Sequence, residues 1–405
     1  MLIQKKDRNQ TFQYSSLQQD IEVKYSYGVH FTRGLFDTTN PLLAEVLGAN
    51  SNAPKSIIVA VDSGLLEHHP QLLEKISNYA HHFVDKINLA AQPIIVPGGE
   101  AAKNDPALVE NIQRVIEEAG ICRHSYVLAI GGGAVVDMVG YAAATAHRGV
   151  RLIRIPTTVL AQNDSGVGVK NSINAFGKKN FLGTFAPPVA VLNDFDFLTT
   201  LSDRDWRSGI AEAIKVALIK DKDFFKFIRD NALKLANREE KAMEELIYRC
   251  CQLHLNHIAT YGDPFEMGSS RPLDFGHWSA HKLEHLTNYG LRHGEAVAIG
   301  MALDCTFSYL TGMLSKEDWQ QIITTLQQLG FVLYVPELSN DLTNPESANS
   351  IFSGIVEFRE HLGGELAIML LQKIGMGLEV NQVSIPIYVK AVLMLQEVEA
   401  KTVVS

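Results

Sequence analysis

The sequence is poor in cysteine and has neither a long apolar run nor a long block of like charge. Its four cysteines contain no CxxC pair, so their spacing indicates neither a disulfide framework nor a zinc ribbon. We expect Cys122, Cys250, Cys251 and Cys305 to be small buried side chains. No apolar stretch reaches the ~20 residues that span a bilayer, and the first residues lack a secretory signal pattern. We therefore expect a cytoplasmic protein without a membrane partner.

The charge balance is moderately acidic and the composition is that of a globular protein. The net charge of -9 comes without a long block of like charge, which argues against nucleic acid or an anionic membrane as the main partner. With 405 residues, 46% of them hydrophobic, the chain is long enough to bury the cores of two domains.

The first half of the chain alternates short apolar runs with amphipathic stretches, which is typical of a parallel sheet flanked by helices. Residues 57–61 and 126–130 are predicted strands. Between them, Asp105 and Pro106 predict the start of a helix that Gly120 ends.

The second half has a different pattern, with longer helical stretches that begin near Ser202. We therefore predict an α/β domain with a parallel sheet over residues 1–200, followed by a mostly α-helical domain over residues 201–405. Because no long linker separates them, the two domains are expected to pack around a shared cleft.

Two glycine turns follow predicted strands. The glycines at 131–133 join a predicted strand to a predicted helix that contains Asp137, so their backbone could approach a pyrophosphate at the helix amino terminus. A tight turn without a ligand explains these glycines about as well. The second turn, at residues 97–99, precedes Glu100 and Lys103, which could bind ribose hydroxyls or could belong to a solvated loop.

A dense polar segment follows the next predicted strand. Residues 156–170 combine two threonines, Asp164, glycines and Lys170, and polar groups this dense beside a core strand suggest a site. Lys179 and Asn180 follow shortly after, and they could bind phosphate oxygens through charge-assisted hydrogen bonds. Each of these lysines, taken alone, is more often a solvated surface residue.

Acidic, basic and imidazole side chains recur at helical spacing in the second half. Glu212 and Lys215 share a helix face, where a surface ion pair is the simplest interpretation. His277 and His281 stand at i and i+4, and His293 follows after a turn. Three such ligands could hold a catalytic metal and leave one position open for substrate. Two histidines at this spacing also occur for purely structural reasons.

Together and in this order, these segments resemble the sugar-phosphate cyclase superfamily, which includes 3-dehydroquinate synthase. The resemblance extends over residues 57–377 and is densest over residues 131–215. It implies an NAD-binding α/β domain followed by a helical metal-binding domain, in a homodimer that acts on a sugar phosphate. The implied reaction is transient oxidation by NAD, β-elimination of phosphate, reduction and an intramolecular aldol addition. The implied metal is divalent, either zinc or cobalt.

The resemblance also implies roles for individual residues. The metal ligands would be Glu212, His277 and His293, with His281 close to the reacting centre. The cofactor-binding residues would be Asp62, Glu100, Lys103, Gly131, Gly132, Gly133, Asp137, Thr157 and Thr158. The remaining active-site set would be Asp164, Lys170, Lys179, Asn180 and Lys215, with Arg148 reaching the phosphate across a dimer interface.

The sequence departs from the dehydroquinate-forming members where they bind the substrate carboxylate. Those members have arginine, asparagine and lysine where this chain has Ser270, Asp274 and Asn256, and Arg359 lies in a segment that replaces an aspartate and paired lysines. These differences favour a substrate without a carboxylate. We therefore expect a C7-cyclitol synthase of the valiolone type acting on sedoheptulose 7-phosphate. Asp274 together with His281 is most similar to 2-epi-valiolone synthase.

Three other functions stay open at this point. A 3-dehydroquinate synthase could use Arg271 in place of the missing arginine. A metal-dependent polyol dehydrogenase would share the fold, but it has no need for the phosphate-directed Lys170, Lys179 and Asn180. A non-catalytic NAD-binding scaffold would not need the full set of metal-ligating residues.

Overall fold

The computed structural model describes residues 16–48, 53–260, 271–361 and 366–404. Its strands are β1 (Gly28–Thr32), β2 (Lys55–Asp62), β3 (Ile87–Leu89), β4 (Ile94–Val96), β5 (Tyr126–Gly131), β6 (Arg151–Pro156), β7 (Lys170–Ala175), β8 (Lys178–Phe185), β9 (Ala190–Asp194), β10 (Ile368–Lys373) and β11 (Met376–Val380).

The α-helices begin with a group that flanks the first strands: α1 (Leu42–Gly48), α2 (Ser63–His68), α3 (Leu72–His82), α4 (Pro106–Glu118) and α5 (Gly133–Thr145). The later helices are α6 (Asp203–Lys220), α7 (Lys222–Asp230), α8 (Ala232–Ala236), α9 (Glu240–Thr260), α10 (His277–Leu286), α11 (His293–Leu310), α12 (Lys316–Gln328), α13 (Ser353–His361) and α14 (Ile385–Val404).

The amino-terminal part is built on a seven-stranded sheet. Its strands run in the order β1-β9-β6-β5-β2-β3, with β4 also paired to β2, and every pairing is parallel. Separate apolar clusters cover its two faces, which explains why residues 57–61 of β2 and 126–130 of β5 are unbroken apolar runs. The prediction of an α/β part with a parallel sheet is therefore confirmed.

Local sequence patterns correctly predict several strands and helix ends in the first half of the chain. Both predicted strands lie inside observed strands, β2 and β5. The Asp105 carboxylate accepts a hydrogen bond of 3.0 Å from the backbone N–H of Ala107, and Pro106 occupies the first turn of α4. Gly120 follows the helix with a φ of 62°, a conformation that glycine adopts without strain.

The second part is mainly helical and is organised around α11. This helix is buried on nearly all sides, as its low content of polar residues predicts, and it packs against α6, α10 and α14. The hairpins β7–β8 and β10–β11 are antiparallel pairs outside the main sheet. The division of the chain at residue 200 falls between β9 and α6, and it stays a prediction.

The cysteines follow the expectation with one exception. Cys250, Cys251 and Cys305 are free and buried, but Cys122 is exposed, so the expectation was wrong for that residue. Cys122 lies in the surface turn between α4 and β5, where no core is available to bury it. Among the described helices, none is both long and apolar enough to cross a lipid bilayer.

Candidate active site

An open cleft of about 680 Å³ lies at the carboxyl ends of three parallel strands. Asp62 is the last residue of β2, Gly132 comes directly after β5, and Thr157 comes directly after β6. Ser208 of α6 and His293 of α11 line the opposite side. The cleft therefore lies between the sheet and the helical part, where α/β proteins commonly bind ligands.

The glycine turn after β5 leaves backbone at the floor of this cleft. Gly133 is the first residue of α5, so the helix amino terminus, with its unpaired N–H groups, opens beside Gly132. A Cβ atom at Gly131 would lie 2.8 Å from the Val135 side chain, and one at Gly133 would lie 2.5 Å from the Ser165 hydroxyl. Two of the three glycines are therefore required by close packing as well as by any ligand.

Five residues of the predicted cofactor set line the cleft and four do not. Those in the lining are Asp62, Gly132, Gly133, Thr157 and Thr158. Gly131 lies beneath the turn, and the Glu100 carboxylate accepts a hydrogen bond from the Asn174 amide.

Lys103 and Asp137 form a buried cluster away from the cleft lining. The Lys103 ammonium lies 2.9 Å from the Asp137 carboxylate and also donates to Ser172 and to the Asn180 amide oxygen. Lys103 is only 3% exposed, so these contacts leave it little access to a ligand. The roles of Lys103, Asp137 and Asn180 stay predictions, and the structure gives the three residues a shared packing role.

Glu212, His277 and His293 converge in the helical part. They come from α6, α10 and α11, and the Glu212 Oε1 atom lies 3.6 Å from His277 Nε2 and 3.4 Å from His293 Nε2. Glu212 is 1% exposed, and within the described residues neither of its oxygens accepts a hydrogen bond of normal geometry, although the Lys215 ammonium forms an ion pair with it. A carboxylate buried in this way fits a cation-binding site.

The backbone around His277 fixes which nitrogen faces the cluster. His277 Nδ1 donates to the carbonyl oxygen of Phe275 at 3.1 Å, which leaves Nε2 directed toward Glu212. Gly276, with a φ of 77°, makes this turn, and a Cβ there would lie 2.7 Å from the backbone nitrogen of Met301. A glycine is therefore needed for α10 to approach α11.

The electrostatic environment shifts the pKa values of His277 and His293 in opposite directions. Burial and the charge of Lys215 lower the pKa of His277 to about 3, so this imidazole is neutral and able to act as a ligand. Burial would also lower the pKa of His293, but the neighbouring Glu212 and Glu284 carboxylates, each 3.4 Å from a ring nitrogen, raise it to about 9. Binding of a metal ion would release the proton that these carboxylates favour on His293.

Glu284 is a site residue that the sequence analysis missed. It lies on α10 near His281 and His293, and these three form a second possible ligand set among the described residues. Its carboxylate accepts hydrogen bonds of 3.2 and 3.3 Å from the Lys179 ammonium. Burial opposes ionisation, yet the contacts with His293 and Lys179 lower the pKa of Glu284 to about 2. Its spacing of three residues after His281 was the available signal.

A second cluster of polar residues lies around Lys215. His254 of α9 was also missed by the sequence analysis, and its Nδ1 atom lies 2.8 Å from the Asp164 carboxylate. Burial would raise the pKa of Asp164, but the charges of His254 and Lys215 hold it below the ordinary value. Lys170 is exposed at the start of β7, yet the surrounding protein partly desolvates its ammonium and lowers its pKa, while the Asp274 and Asp164 carboxylates oppose this change. Lys170, Lys215, Asp164 and Asp274 therefore lie within electrostatic reach of one another.

The remaining predicted residues lie near the cluster, on the surface or outside the described part. The His281 ring is centred 5.4 Å from that of His277 and 6.1 Å from that of His293, close to the Glu212 set without belonging to it. Arg148 and Arg359 are exposed. Ser270 lies outside the described residues, as does the Arg271 side chain. The roles assigned to these residues stay predictions.

Sequence comparison gives the family independently of this geometry. A family model described as the 3-dehydroquinate synthase N-terminal region matches residues 93–208, and the corresponding C-terminal model matches residues 209–348. The chain is 37% identical over 272 residues to a 3-dehydroquinate synthase of Pelobacter propionicus, covering 65% of this chain and 74% of that protein. It is 30% identical over 361 residues to the same enzyme of Ruthia magnifica, covering 89% and 93% respectively.

A solved structure of 2-epi-5-epi-valiolone synthase from Streptomyces hygroscopicus, with NAD+ and Zn2+ bound, is also similar. Its TM-score is 0.81 at 27% identity, covering 94% of this chain and 99% of that one. A parallel-sheet α/β part followed by a helical part defines the dehydroquinate synthase-like fold class. The chain belongs to the 3-dehydroquinate synthase family, within the sugar-phosphate cyclase superfamily.

Proposed function

We propose that this protein is a phosphate-eliminating lyase that converts sedoheptulose 7-phosphate into a valiolone-type C7 cyclitol. The observation that carries the substrate assignment is the position of Asp274, whose carboxylate acts on the charges of both Lys170 and Lys215. A negative charge at this point disfavours a substrate carboxylate. It can instead accept hydrogen bonds from sugar hydroxyls.

The cleft and the buried cluster fit an NAD cofactor and a divalent cation. The α5 amino terminus offers N–H groups to a pyrophosphate, and Asp62 offers a carboxylate to ribose hydroxyls. Glu212, His277 and His293 would hold the cation, zinc or cobalt. When bound, NAD supplies reversible hydride transfer at a substrate hydroxyl, and the cation acidifies that hydroxyl and polarises the resulting carbonyl.

The side chains around the cluster suit the handling of protons and of the departing phosphate. Lys215 and Asp164 lie on the same side of the site as Glu212, and they can orient the hydroxyl groups of the substrate. Lys170 is the first residue of β7 and Lys179 is the second residue of β8, so they lie toward opposite ends of the antiparallel hairpin. From these two ends, their ammonium groups would stabilise the charge of the leaving phosphate. In the proposed homodimer, Arg148 of the second subunit would complete this phosphate site.

The expected size of the Asp274 effect supports discrimination between substrates. Two unit charges about 4 Å apart interact by roughly 4 kcal/mol at an effective dielectric near 20. Such a repulsion would suppress a carboxylate-bearing substrate by about three orders of magnitude. The substrate of dehydroquinate-forming enzymes carries this carboxylate, whereas sedoheptulose 7-phosphate does not.

The second candidate is 3-dehydroquinate synthase. It is favoured by the names of the relatives at 37% and 30% identity and by the two family models that match residues 93–208 and 209–348 of this chain. In that case a cation from the part of the chain around residue 271 would have to offset Asp274.

A direct comparison of two substrates tests the proposal. The purified protein with NAD and Zn2+ is incubated with sedoheptulose 7-phosphate and, separately, with 3-deoxy-arabino-heptulosonate 7-phosphate, and the cyclic products are identified by NMR. We expect efficient turnover of the first and little of the second. Asp274→Asn should slow cyclitol formation through the loss of a hydroxyl partner. Formation of 3-dehydroquinate at an equal or higher rate would establish the second candidate.

A further inference from the structure

The Glu284 carboxylate lies between the Lys179 ammonium and the His293 imidazole. Its Oε1 and Oε2 atoms are 3.2 and 3.3 Å from the Lys179 ammonium, and Oε1 is also 3.4 Å from His293 Nδ1. The side chain is only 6% exposed, whereas that of Lys179 is 34% exposed. One buried carboxylate therefore contacts both a predicted phosphate-binding lysine and a predicted metal ligand.

The two nitrogens of His293 face different carboxylates. Nε2 is 3.4 Å from Glu212 Oε1, while Nδ1 is 3.4 Å from Glu284 Oε1. A carboxylate beside Nδ1 keeps the proton on that nitrogen, and this leaves the Nε2 lone pair for a cation beside Glu212. The N–H of the next residue, Gly294, donates to the Ser208 hydroxyl at 3.0 Å, which anchors the start of α11 to α6.

Lys179 is held less firmly than Glu284. It reaches into the site from β8 of the β7–β8 hairpin, and its ammonium also lies 5.3 Å from the centre of the Tyr289 ring. Since its side chain is partly exposed, an anion entering from the cleft can approach the ammonium while Glu284 stays buried. A phosphate would then compete with Glu284 for this lysine.

We propose that Glu284 is a positioning residue that links the phosphate site to the metal site. It orients His293 for the metal, and it shares the Lys179 ammonium with the phosphate of the substrate. The inference rests on the proposed function for the identity of the two ligands. We therefore expect loss of the Glu284 charge to weaken metal binding and to strengthen phosphate binding. Loss of a merely structural residue would not shift the two affinities in opposite directions.

The test uses the full chain after removal of metal by chelation, with Co2+ and inorganic phosphate as separate probes. In Glu284→Gln we expect the Co2+ dissociation constant to rise by about 10-fold or more, the usual effect of losing an outer partner of a histidine ligand. In the same metal-free variant, phosphate should bind about fivefold more tightly, because a competing negative charge next to Lys179 is gone. Titration calorimetry measures both affinities, and the Co2+ absorption spectrum reports independently on the metal site. Neither method needs an activity assay.

Two further variants separate positioning from folding. Glu357 of α13 accepts a hydrogen bond of 2.7 Å from Lys282, which lies on α10 as Glu284 does. Because neither residue belongs to the metal cluster, Glu357→Gln should change neither the Co2+ affinity nor the phosphate affinity. Lys179→Met should weaken phosphate binding yet leave Co2+ binding as tight as in the wild type, because Glu284 still holds His293. This result stays informative even if the Glu284 variants fail to fold.

Two results would overturn the inference. One is a Glu284→Gln protein, folded by circular dichroism, in which both affinities fall together or neither changes. The other is a Lys179→Met protein that loses Co2+ affinity as strongly as Glu284→Gln. Both readouts are independent of turnover, so opposite shifts in a protein that cyclises neither sugar phosphate would sustain the role of Glu284 while rejecting the proposed function.

Discussion

The cofactor cleft and the metal cluster are built in opposite ways. The cleft lies at the ends of β2, β5 and β6, where glycines such as Gly132 bring backbone to its surface. The cluster is formed by charged side chains from α6, α10 and α11, with Glu212 almost fully buried. The first region therefore depends on local chain conformation, and the second depends on the packing of distant helices.

This difference predicts that each region can be damaged without the other. Substitutions in the cluster should abolish metal binding and leave the dinucleotide affinity intact, because no side chain of the Glu212 set except His293 lines the cleft. Substitutions at the glycine turn should have the reverse effect. The predictions below test this independence, beginning with the largest effect.

Glu212→Gln should produce the largest loss. The variant removes the charged member of the ligand set, so we expect turnover to fall by about three orders of magnitude, equivalent to ~4 kcal/mol of lost transition-state stabilisation. Steady-state kinetics measures turnover, and calorimetry measures metal and NAD binding. NAD affinity equal to that of the wild type would support independence of the regions, whereas a parallel loss of NAD binding would contradict it.

Lys170→Ala should have the next largest effect. Lys170 starts β7, and its removal takes away the proposed charge-assisted hydrogen bonds that strengthen as the phosphate departs. We expect kcat to fall by about 100-fold to 1,000-fold with metal and NAD affinities unchanged. A variant with wild-type turnover would remove Lys170 from the phosphate site.

Gly132→Ala should affect only the cofactor region, and more mildly. Its φ of -69° and ψ of 175° suit any residue, and the added Cβ would lie 3.4 Å from Thr158, so the protein should fold normally. The methyl group nevertheless enters the cleft where backbone would approach a pyrophosphate. We expect NAD affinity to fall about tenfold, or ~1.4 kcal/mol, with unchanged Co2+ affinity as the internal control.

The smallest predicted effect is a change in the free energy of unfolding that depends on Asp304. Asp304 of α11 accepts hydrogen bonds from the Trp278 indole, the Tyr388 hydroxyl and the Gly276 backbone, yet burial outweighs them and raises the pKa of Asp304 to about 7. Because this pKa lies above the unfolded value of 3.8, the protonated group stabilises the fold at low pH, and this contribution is lost as the pH rises toward 7.

Between pH 6 and 7, this titration should lower the free energy of unfolding by about 1 kcal/mol. Urea unfolding at both pH values measures the change in the wild type and in Asp304→Asn, where this contribution should be absent. An identical pH dependence in the two proteins would show that Asp304 does not titrate in this range.

The two regions also differ in how well the sequence predicted them. The strand and turn around Gly131 and the helix that begins at Pro106 follow from contiguous residues, so their structure could be read locally. Lys103 has the same kind of local context, but its side chain points into a buried cluster with Asp137, which a sequence pattern cannot reveal. Local patterns predict backbone conformation better than side-chain direction.

In the metal region, the sequence alone left the ligands ambiguous. His277, His281 and His293 were equally plausible from spacing, and only the resemblance to the family selected two of them. Glu284 and His254 were missed because each contacts a residue distant in sequence, Lys179 and Asp164 respectively. No local pattern predicts those contacts.

The central claim is that the cofactor cleft and the metal cluster act together in one cycle that releases phosphate and returns the hydride. A single sample of protein, NAD, Zn2+ and sedoheptulose 7-phosphate tests it, with released phosphate and the absorbance of NADH followed over the same time course. We predict many equivalents of phosphate per protein chain and no net accumulation of NADH. Stoichiometric NADH formation, or the absence of phosphate release from any heptulose phosphate, would contradict the claim.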